Sequence, residues 1–342
     1  MQYRQLGSTG LKVSPLCLGT MTFGSNFINI AEVGQQDADR MVARAWEAGV
    51  NFFDTADVYS MGESEQILGQ ALKNNRIDRD QAVIATKVRG PMSRAAAEGG
   101  GDPNNLGLSR KHIMAACEAS LRRLGTDHID LYQVHGWDVR TDLDEILRAL
   151  DDLVRQGKVL YTGCSNWPAR HLARALALAE TRGLERFVSL QAYYALAGRD
   201  LEHELLPLCR EQGLGVLPWS PLAGGFLSGK FRRDTAGPED ARRSGFDFPP
   251  VDRERVYDAV DKLEEVAGET GSSIPRAALA WLLAQPGVSS VIIGAKRMEQ
   301  LEDNLAAADL ALSEDQLRRL DDVTRPEAIY PEWMVERQNA SR

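Results

Sequence analysis

Eight short apolar runs recur along the chain, spaced widely enough to hold a helix between each pair, and this feature restricts the fold most. They are Leu16–Gly19 (LCLG), Asn51–Asp54 (NFFD), Ala82–Lys87 (AVIATK), Ile129–His135 (IDLYQVH), Val159–Ser165 (VLYTGCS), Val188–Gln191 (VSLQ), Gly215–Trp219 (GVLPW) and Val291–Gly294 (VIIG). Such runs, alternating with segments of helical period, predict βα units on a parallel sheet. One helix is expected after Asp37 as N-cap, with Met41, Val42 and Ala45 inward and a stop at Gly49. A second follows Ser109, carries Ile113, Ala116, Cys117, Ser120 and Leu124 on one face, and stops at Gly125. A third places Leu143, Ile146, Leu147, Leu150 and Val154 at helical spacing and ends at Gly157. Pro168 and Pro275 suit the first turns of two more. Eight βα units in 342 residues predict an α/β fold of the (β/α)8 TIM-barrel type rather than an open sheet.

No internal repeat or Pro/Gly-rich linker divides the sequence, so residues 1–342 read as a single domain. Within it, residues 1–15 (YRQL, a turn at Gly7–Gly10, LKV) predict a β-hairpin plug, 16–325 the barrel and 326–342 a C-terminal tail. Two long βα loops, Gly90–Gly107 and Gly224–Pro250, interrupt the regular alternation at the face where barrel loops carry function.

Charge and cysteine usage exclude several classes. Lys plus Arg total 40 against 49 Asp plus Glu, a net charge of −9. That balance argues against a nucleic-acid partner and against an anionic membrane surface. The start, MQYRQLGSTGLKV, lacks the apolar core of a secretion signal, and the longest apolar stretch, Ala277–Ala284, is too short to span a bilayer. Cys17, Cys117, Cys164 and Cys209 lie far apart without metal-binding spacing, which reads as reduced core thiols in the cytoplasm. No metal is expected, and an oligomer is not readable from the sequence.

In a barrel, chemistry sits where strands end. The second predicted strand delivers Asp54, with Asp57 and Tyr59 in its loop, the third Lys87, and the fourth His135. A lysine closing an apolar strand needs a carboxylate partner, and Asp54 on the neighbouring strand supplies one. A tyrosine beside that pair is expected to have its phenol pKa lowered from about 10, and could then protonate a carbonyl oxygen that His135 orients. A purely structural ion pair is the plainer reading of Asp54 and Lys87 taken alone. Asp57, Glu63 and Glu65 read as a solvated loop and helix start rather than a metal site. His112, His128, His171 and His203 read as surface or second-layer residues.

Two motifs mislead. No GxGxxG follows a strand, so a Rossmann site is not supported. Gly224–Lys230 (GGFLSGK) approximates a P-loop, but Phe231 stands where a Ser or Thr must bind magnesium.

The segments MQYRQLGSTGLKVSPLCLGTMTFG, NFFDTADVYSMGESE, ATKV, DLYQVHGWD, GCSNW, LQAYY, LPWSPLAGGFLSGK and VIIGAKRMEQLEDN resemble, in order and spacing, an aldo-keto reductase of the bacterial type with a long lid. The resemblance spans nearly the whole chain. It implies an NADP(H)-dependent oxidoreductase that reduces a small-molecule aldehyde or ketone to an alcohol. Tyr59 would be the general acid, with Lys87 tuning it, Asp54 holding Lys87, and His135 orienting the carbonyl. For the cofactor it implies Ser165, Asn166 and Gln191 at the carboxamide, Trp219 stacked on the nicotinamide, and Thr20, Met21 and Asp54 near the ribose. Ser220, Leu222, Gly224 and Lys230 would cover the pyrophosphate, while Gly294, Lys296, Arg297, Gln300, Asp303 and Asn304 would line the adenosine end. Lys296 and Arg297 favour NADPH, because a ribose 2′-phosphate calls for positive charge. Trp137, Trp167, Phe23, Phe226 and the 90–107 loop are expected around the substrate. Two rivals stand beside this reading: an NADP(H)-binding regulatory subunit with little turnover, and a lyase or aldolase using Lys87 as a Schiff-base nucleophile.

Overall fold

Strands buried on both faces carry near-continuous apolar sequence, and all eight expected runs are strands in the computed structural model. The structure describes residues 1–25, 33–235, 237–238 and 241–340. The expected 224–250 loop and 326–342 tail therefore fall outside the described residues at 236, 239–240 and 341–342.

After a hairpin of β1 (Arg4–Gln5) and β2 (Lys12–Val13) come β3 (Leu16–Gly19), β4 (Phe52–Asp54), β5 (Val83–Val88), β6 (Ile129–Val134), β7 (Val159–Ser165), β8 (Phe187–Tyr193), β9 (Gly215–Trp219) and β10 (Val291–Ile293). The last eight form one parallel sheet in the order β10-β3-β4-β5-β6-β7-β8-β9. A parallel bridge from Val216 on β9 to Val288, just before β10, brings the edges together into a nearly closed barrel. The sixth strand runs beyond the expected Val188–Gln191, because Tyr193 stays in register with Trp219.

The hairpin plugs one end of the barrel. Leu6 and Val13 pack with Cys17, Phe52, Val83, Ala85, Leu131, Leu217 and Ile292 in the interior. Gly7 makes this possible: its φ is +58°, and a Cβ there would stand 2.5 Å from Gly213 O.

Around the barrel run helices whose ends follow local rules. Ser109 caps Arg110–Leu124 by accepting from His112 N, and Gly125 closes it in the left-handed conformation. Asp142 caps Leu143–Arg155. Two expected starts are corrected. The first helix begins at Gln35 behind Gly34, so Asp37 lies in the first turn and pairs with Arg40 rather than capping; the parallel bridge of Val33 to Phe23 sets the earlier entry. Pro168 is itself the N-cap of Ala169–Arg182, with extended backbone, whereas Pro275 does lie within the first turn of Ile274–Leu283.

All four cysteines are buried and free. Among the described residues no helix is long and apolar enough to cross a membrane.

Candidate active site

Adjacent parallel strands place their end residues in one layer, and the register brings polar side chains from separate strands together. Lys87 pairs with Gln133, Gln133 with Gly163 and Gly163 with Ser189, while Ser165 pairs with Gln191. Gly163 leaves room for this layer, since a Cβ there would lie 2.7 Å from Ser189 Oγ and 3.2 Å from Gln133 Cγ.

A network results that leaves no charge uncompensated. Lys87 Nζ donates to Asp54 Oδ1 at 2.5 Å, to Thr55 O at 2.8 Å and to Tyr59 Oη at 3.3 Å. Asp54 Oδ2 accepts from Gln191 Nε2 at 2.8 Å and from Gln133 Nε2 at 3.0 Å. Lys87 is fully buried and Asp54 is 2 % exposed, a setting in which an unpaired charge would be strongly destabilising. Burial alone depresses an ammonium, but Asp54 and Tyr59 outweigh it and hold Lys87 above its ordinary range. A protonated amine with all three N–H groups engaged has no lone pair for attack on a carbonyl, which removes the ground for a Schiff base.

Tyr59 stands on the turn after β4, where Ser60, Met61 and Gly62 all have positive φ. At Gly62 a Cβ would press on Arg123 Cδ at 2.6 Å, so the turn closes tightly against a helix of the barrel exterior. The Tyr59 ring meets His135 edge-on at 5.7 Å, and Lys87 Nζ lies 4.9 Å from its centroid. The expected depression of the phenol pKa is corrected: burial raises it, Lys87 opposes, and burial prevails. Tyr59 is accordingly a phenol at neutral pH. Burial, Lys87 and Arg89 together hold His135 well below the usual imidazole range, so it is neutral and keeps one N–H to give.

Behind this layer lies a second acidic cluster that the sequence reading placed in solvent. Asp57 and Glu65 are both fully buried. Glu65 accepts from Thr86 Oγ1 and Arg123 Nε, each at 2.5 Å. Neither Asp57 oxygen meets a donor in good hydrogen-bond geometry. Burial, then the Glu65 charge, pushes its carboxyl up to about 8. The loop tucks under the barrel rim, which a reading of first-turn acids as solvated does not anticipate. No group suited to a metal occurs among the described residues.

Above the network opens a cavity of about 770 Å³. Its wall includes Asp54, Tyr59 and His135 but not Lys87, which lies beneath. Every position that the resemblance marked for a cofactor lines it: Thr20, Met21, Asp54, Ser165, Asn166, Gln191, Trp219, Ser220, Leu222, Gly224, Lys230, Gly294, Lys296, Arg297, Gln300, Asp303 and Asn304. Several are already committed to protein contacts. Asn166 accepts from Trp219 Nε1 at 3.0 Å and donates to Ser165 Oγ at 2.9 Å. Asp303 accepts from Ser273 Oγ and Arg276 Nη2, at 2.5 and 2.7 Å. Gln300 Oε1 accepts from the Lys296 backbone N–H at 2.9 Å. Trp219 stacks on Phe248 with centroids 5.8 Å apart and planes 6° apart.

The expected substrate aromatics are corrected. Trp167, Phe23 and Phe226 are at most 2 % exposed. Trp167 packs on Phe187, Trp137 stacks on His171, and Phe226 meets Phe231 and Tyr257. None lines the cavity, because rings that follow a strand end can turn behind the rim as readily as into the mouth. Among the described residues of the 90–107 loop only Gly90 reaches the cavity, beside Arg89. Gln133, Arg89 and Phe248 are contributors that sequence reasoning missed. For Gln133 the available signal was an amide two residues after Leu131, on the same face of its strand as that interior residue.

Comparison with known proteins agrees with this architecture. The model of the "Aldo/keto reductase family" matches residues 15–325. The chain is 40 % identical to the uncharacterized oxidoreductase YrpG of Bacillus subtilis, over 94 % of this chain and 96 % of that protein. It is 34 % identical to a versiconal hemiacetal acetate reductase of Aspergillus parasiticus, over 97 % and 99 % of the two chains. It is 37 % identical to a probable voltage-gated potassium channel subunit beta of Arabidopsis thaliana, over 91 % and 92 %. The chain belongs to the aldo/keto reductase family.

Proposed function

We propose that the protein is an NADPH-dependent oxidoreductase that reduces aldehydes or ketones to alcohols, with Tyr59, Lys87, Asp54 and His135 as its catalytic set. The observation that carries this is the buried chain from Asp54 through Lys87 to Tyr59, beneath a large cavity and edge-on to a neutral His135. NADPH, when bound, supplies hydride to the carbonyl carbon. The cavity suits it: Lys230, Lys296 and Arg297 bring positive charge beside a loop in which Ser220, Ala223, Gly224 and Gly225 all have positive φ, the kind of backbone that can approach a pyrophosphate closely. Lys296 and Arg297 are the candidates for the ribose 2′-phosphate. Gln191 spends its N–H groups on Asp54 and Gln133, which leaves its carbonyl oxygen as the acceptor for a carboxamide.

The protein's own part is proton delivery. Tyr59, a phenol at neutral pH, gives its proton to the carbonyl oxygen as negative charge gathers there. The phenolate that remains lies 3.3 Å from the Lys87 ammonium, which stabilises it. Asp54 keeps that ammonium charged and aimed, and neutral His135 donates to the carbonyl oxygen. Residues 1–342 act as one barrel domain on a small molecule in the cytoplasm, with no metal. The net charge of −9 and the buried free thiols support that setting.

Similarity to the probable channel subunit supports a second reading, an NADP(H)-binding subunit with little turnover. One assay separates them: NADPH oxidation with an aromatic aldehyde, beside Tyr59→Phe. Turnover that falls by about 100-fold or more in the variant supports the reductase. Tight NADPH binding without turnover across a carbonyl panel supports the subunit.

A further inference from the structure

We infer that Arg89 selects carbonyl substrates that carry a carboxylate, and that it grips this group at the cavity wall beside His135. The inference rests on the proposed reductase function and names a substrate class for that site.

Three observations place the side chain. Arg89 follows Lys87 by two residues, and both it and Gly90 line the cavity. Its backbone adopts φ +151°, a value L side chains rarely take. The chain is held there from both sides: a Cβ on Gly90 would meet Val58 at 2.8 Å, and one on Gly136 would lie 3.5 Å from Arg89 Cδ. Gly136 adjoins His135, whose imidazole feels the Arg89 charge. The guanidinium is thus positioned next to the group proposed to orient the carbonyl.

The guanidinium has no hydrogen bond or ion pair with any described residue. The carboxylate that shares its field, Asp138, is already engaged: Oδ2 accepts from Leu108 N and Thr141 Oγ1, both at 2.8 Å, and Oδ1 accepts from Arg140 N at 3.0 Å. Arg89 therefore keeps its planar fork of donors, which matches a carboxylate in bidentate geometry. The other cations of the cavity wall, Lys230, Lys296 and Arg297, follow β9 and β10, across the barrel from β5 and β6. On the Arg89 side of the described wall no second cation competes for an anion. Trp219 and its stacked partner Phe248 face the cavity from the opposite side, where the cofactor is proposed to lie.

The test compares para-carboxybenzaldehyde with para-methylbenzaldehyde as substrates of the full chain with NADPH. Wild type is expected to favour the carboxylated aldehyde in kcat/KM by about 10-fold or more, and Arg89→Met to lower that ratio by about 10- to 100-fold, chiefly through KM. Arg89→Lys should restore part of it, since a point charge replaces the fork. A wild-type ratio near one, or a ratio unmoved by Arg89→Met, overturns the inference while leaving the reductase intact. Absence of turnover with both aldehydes overturns the reductase instead. Calorimetric binding of para-carboxybenzyl alcohol against para-methylbenzyl alcohol then decides the inference: an Arg89-dependent preference supports it, and equal affinity overturns it.

Discussion

Gln191 donates its side-chain N–H to Asp54 Oδ2 at 2.8 Å from across the barrel, and Gln133 adds a second bond to the same oxygen at 3.0 Å. The carboxylate is thereby fixed in rotation, with Oδ1 left for Lys87. Gln133 lies fully buried and does not line the cavity, so it acts through Asp54 and through Gln191, from which its Oε1 accepts at 3.2 Å. Gln133→Leu should lower kcat by about 10-fold while the KM for NADPH stays near wild type. Steady-state kinetics checks this, and a rise in KM equal to the fall in kcat would show a general disturbance of the barrel instead.

Asp57 predicts a pH-dependent stability. An unfolded aspartate has a pKa of about 3.9, and burial with the Glu65 charge pushes this one up to about 8 in the fold. Between those values the folded chain keeps a proton that the unfolded chain has released, so stability falls as pH rises and levels off above about 8. Asp57→Asn removes that slope. Its melting temperature should match wild type near pH 4 and exceed it by at least about 2 °C near pH 9, for a gain of about 1 kcal/mol or more. A difference independent of pH would mean that Asp57 is already ionised in the fold.

The parts of this site legible in the sequence are those that follow from strand ends. A lysine closing AVIATK and an aspartate closing NFFD can only be neighbours if consecutive strands pair in parallel, and β4 and β5 do. What stayed hidden depends on contacts between distant segments. Glu65 looks like a solvated first-turn acid until Arg123, from another helix, is seen to bury it. Gln133 gains its role only from a register that sets it beside Lys87 and Gly163. The aromatic residues misassigned to the substrate failed for the same reason: neither composition nor period says on which side of the rim a ring turns. Asp37 looked like a cap because its neighbour Gly34 offers no side chain to announce the earlier start.

Lys296 and Arg297 are both exposed on the cavity wall, immediately before the helix Met298–Leu305. A phosphate monoester there gains charge-assisted bonds that a ribose hydroxyl does not. Replacing both with alanine should raise the KM for NADPH by about 10-fold or more and leave that for NADH within about 2-fold. An unchanged ratio of the two constants would place the phosphate elsewhere.

The 241–250 segment predicts a contrast between neighbouring glycines. Arg243 donates from both terminal nitrogens to Pro249 O, and its guanidinium lies over the Phe226 ring at 5.2 Å. This fastens the segment onto the glycine loop after β9. At Gly224 a Cβ would lie 2.5 Å from Phe248 O, whereas at Gly225 it would meet nothing within 4 Å. The backbone alone would penalise Gly225→Ala more, since its φ of +95° lies further from the left-handed region open to alanine than the +67° of Gly224. Gly224→Ala must instead lift Phe248 from Trp219 and loosen the cover over the proposed cofactor. Its affinity for NADPH, followed by tryptophan quenching, should therefore fall by about 10-fold, and Gly225→Ala should lose less. The reverse order would show that strain in the glycine loop, not the seating of Phe248, governs how tightly the cavity closes.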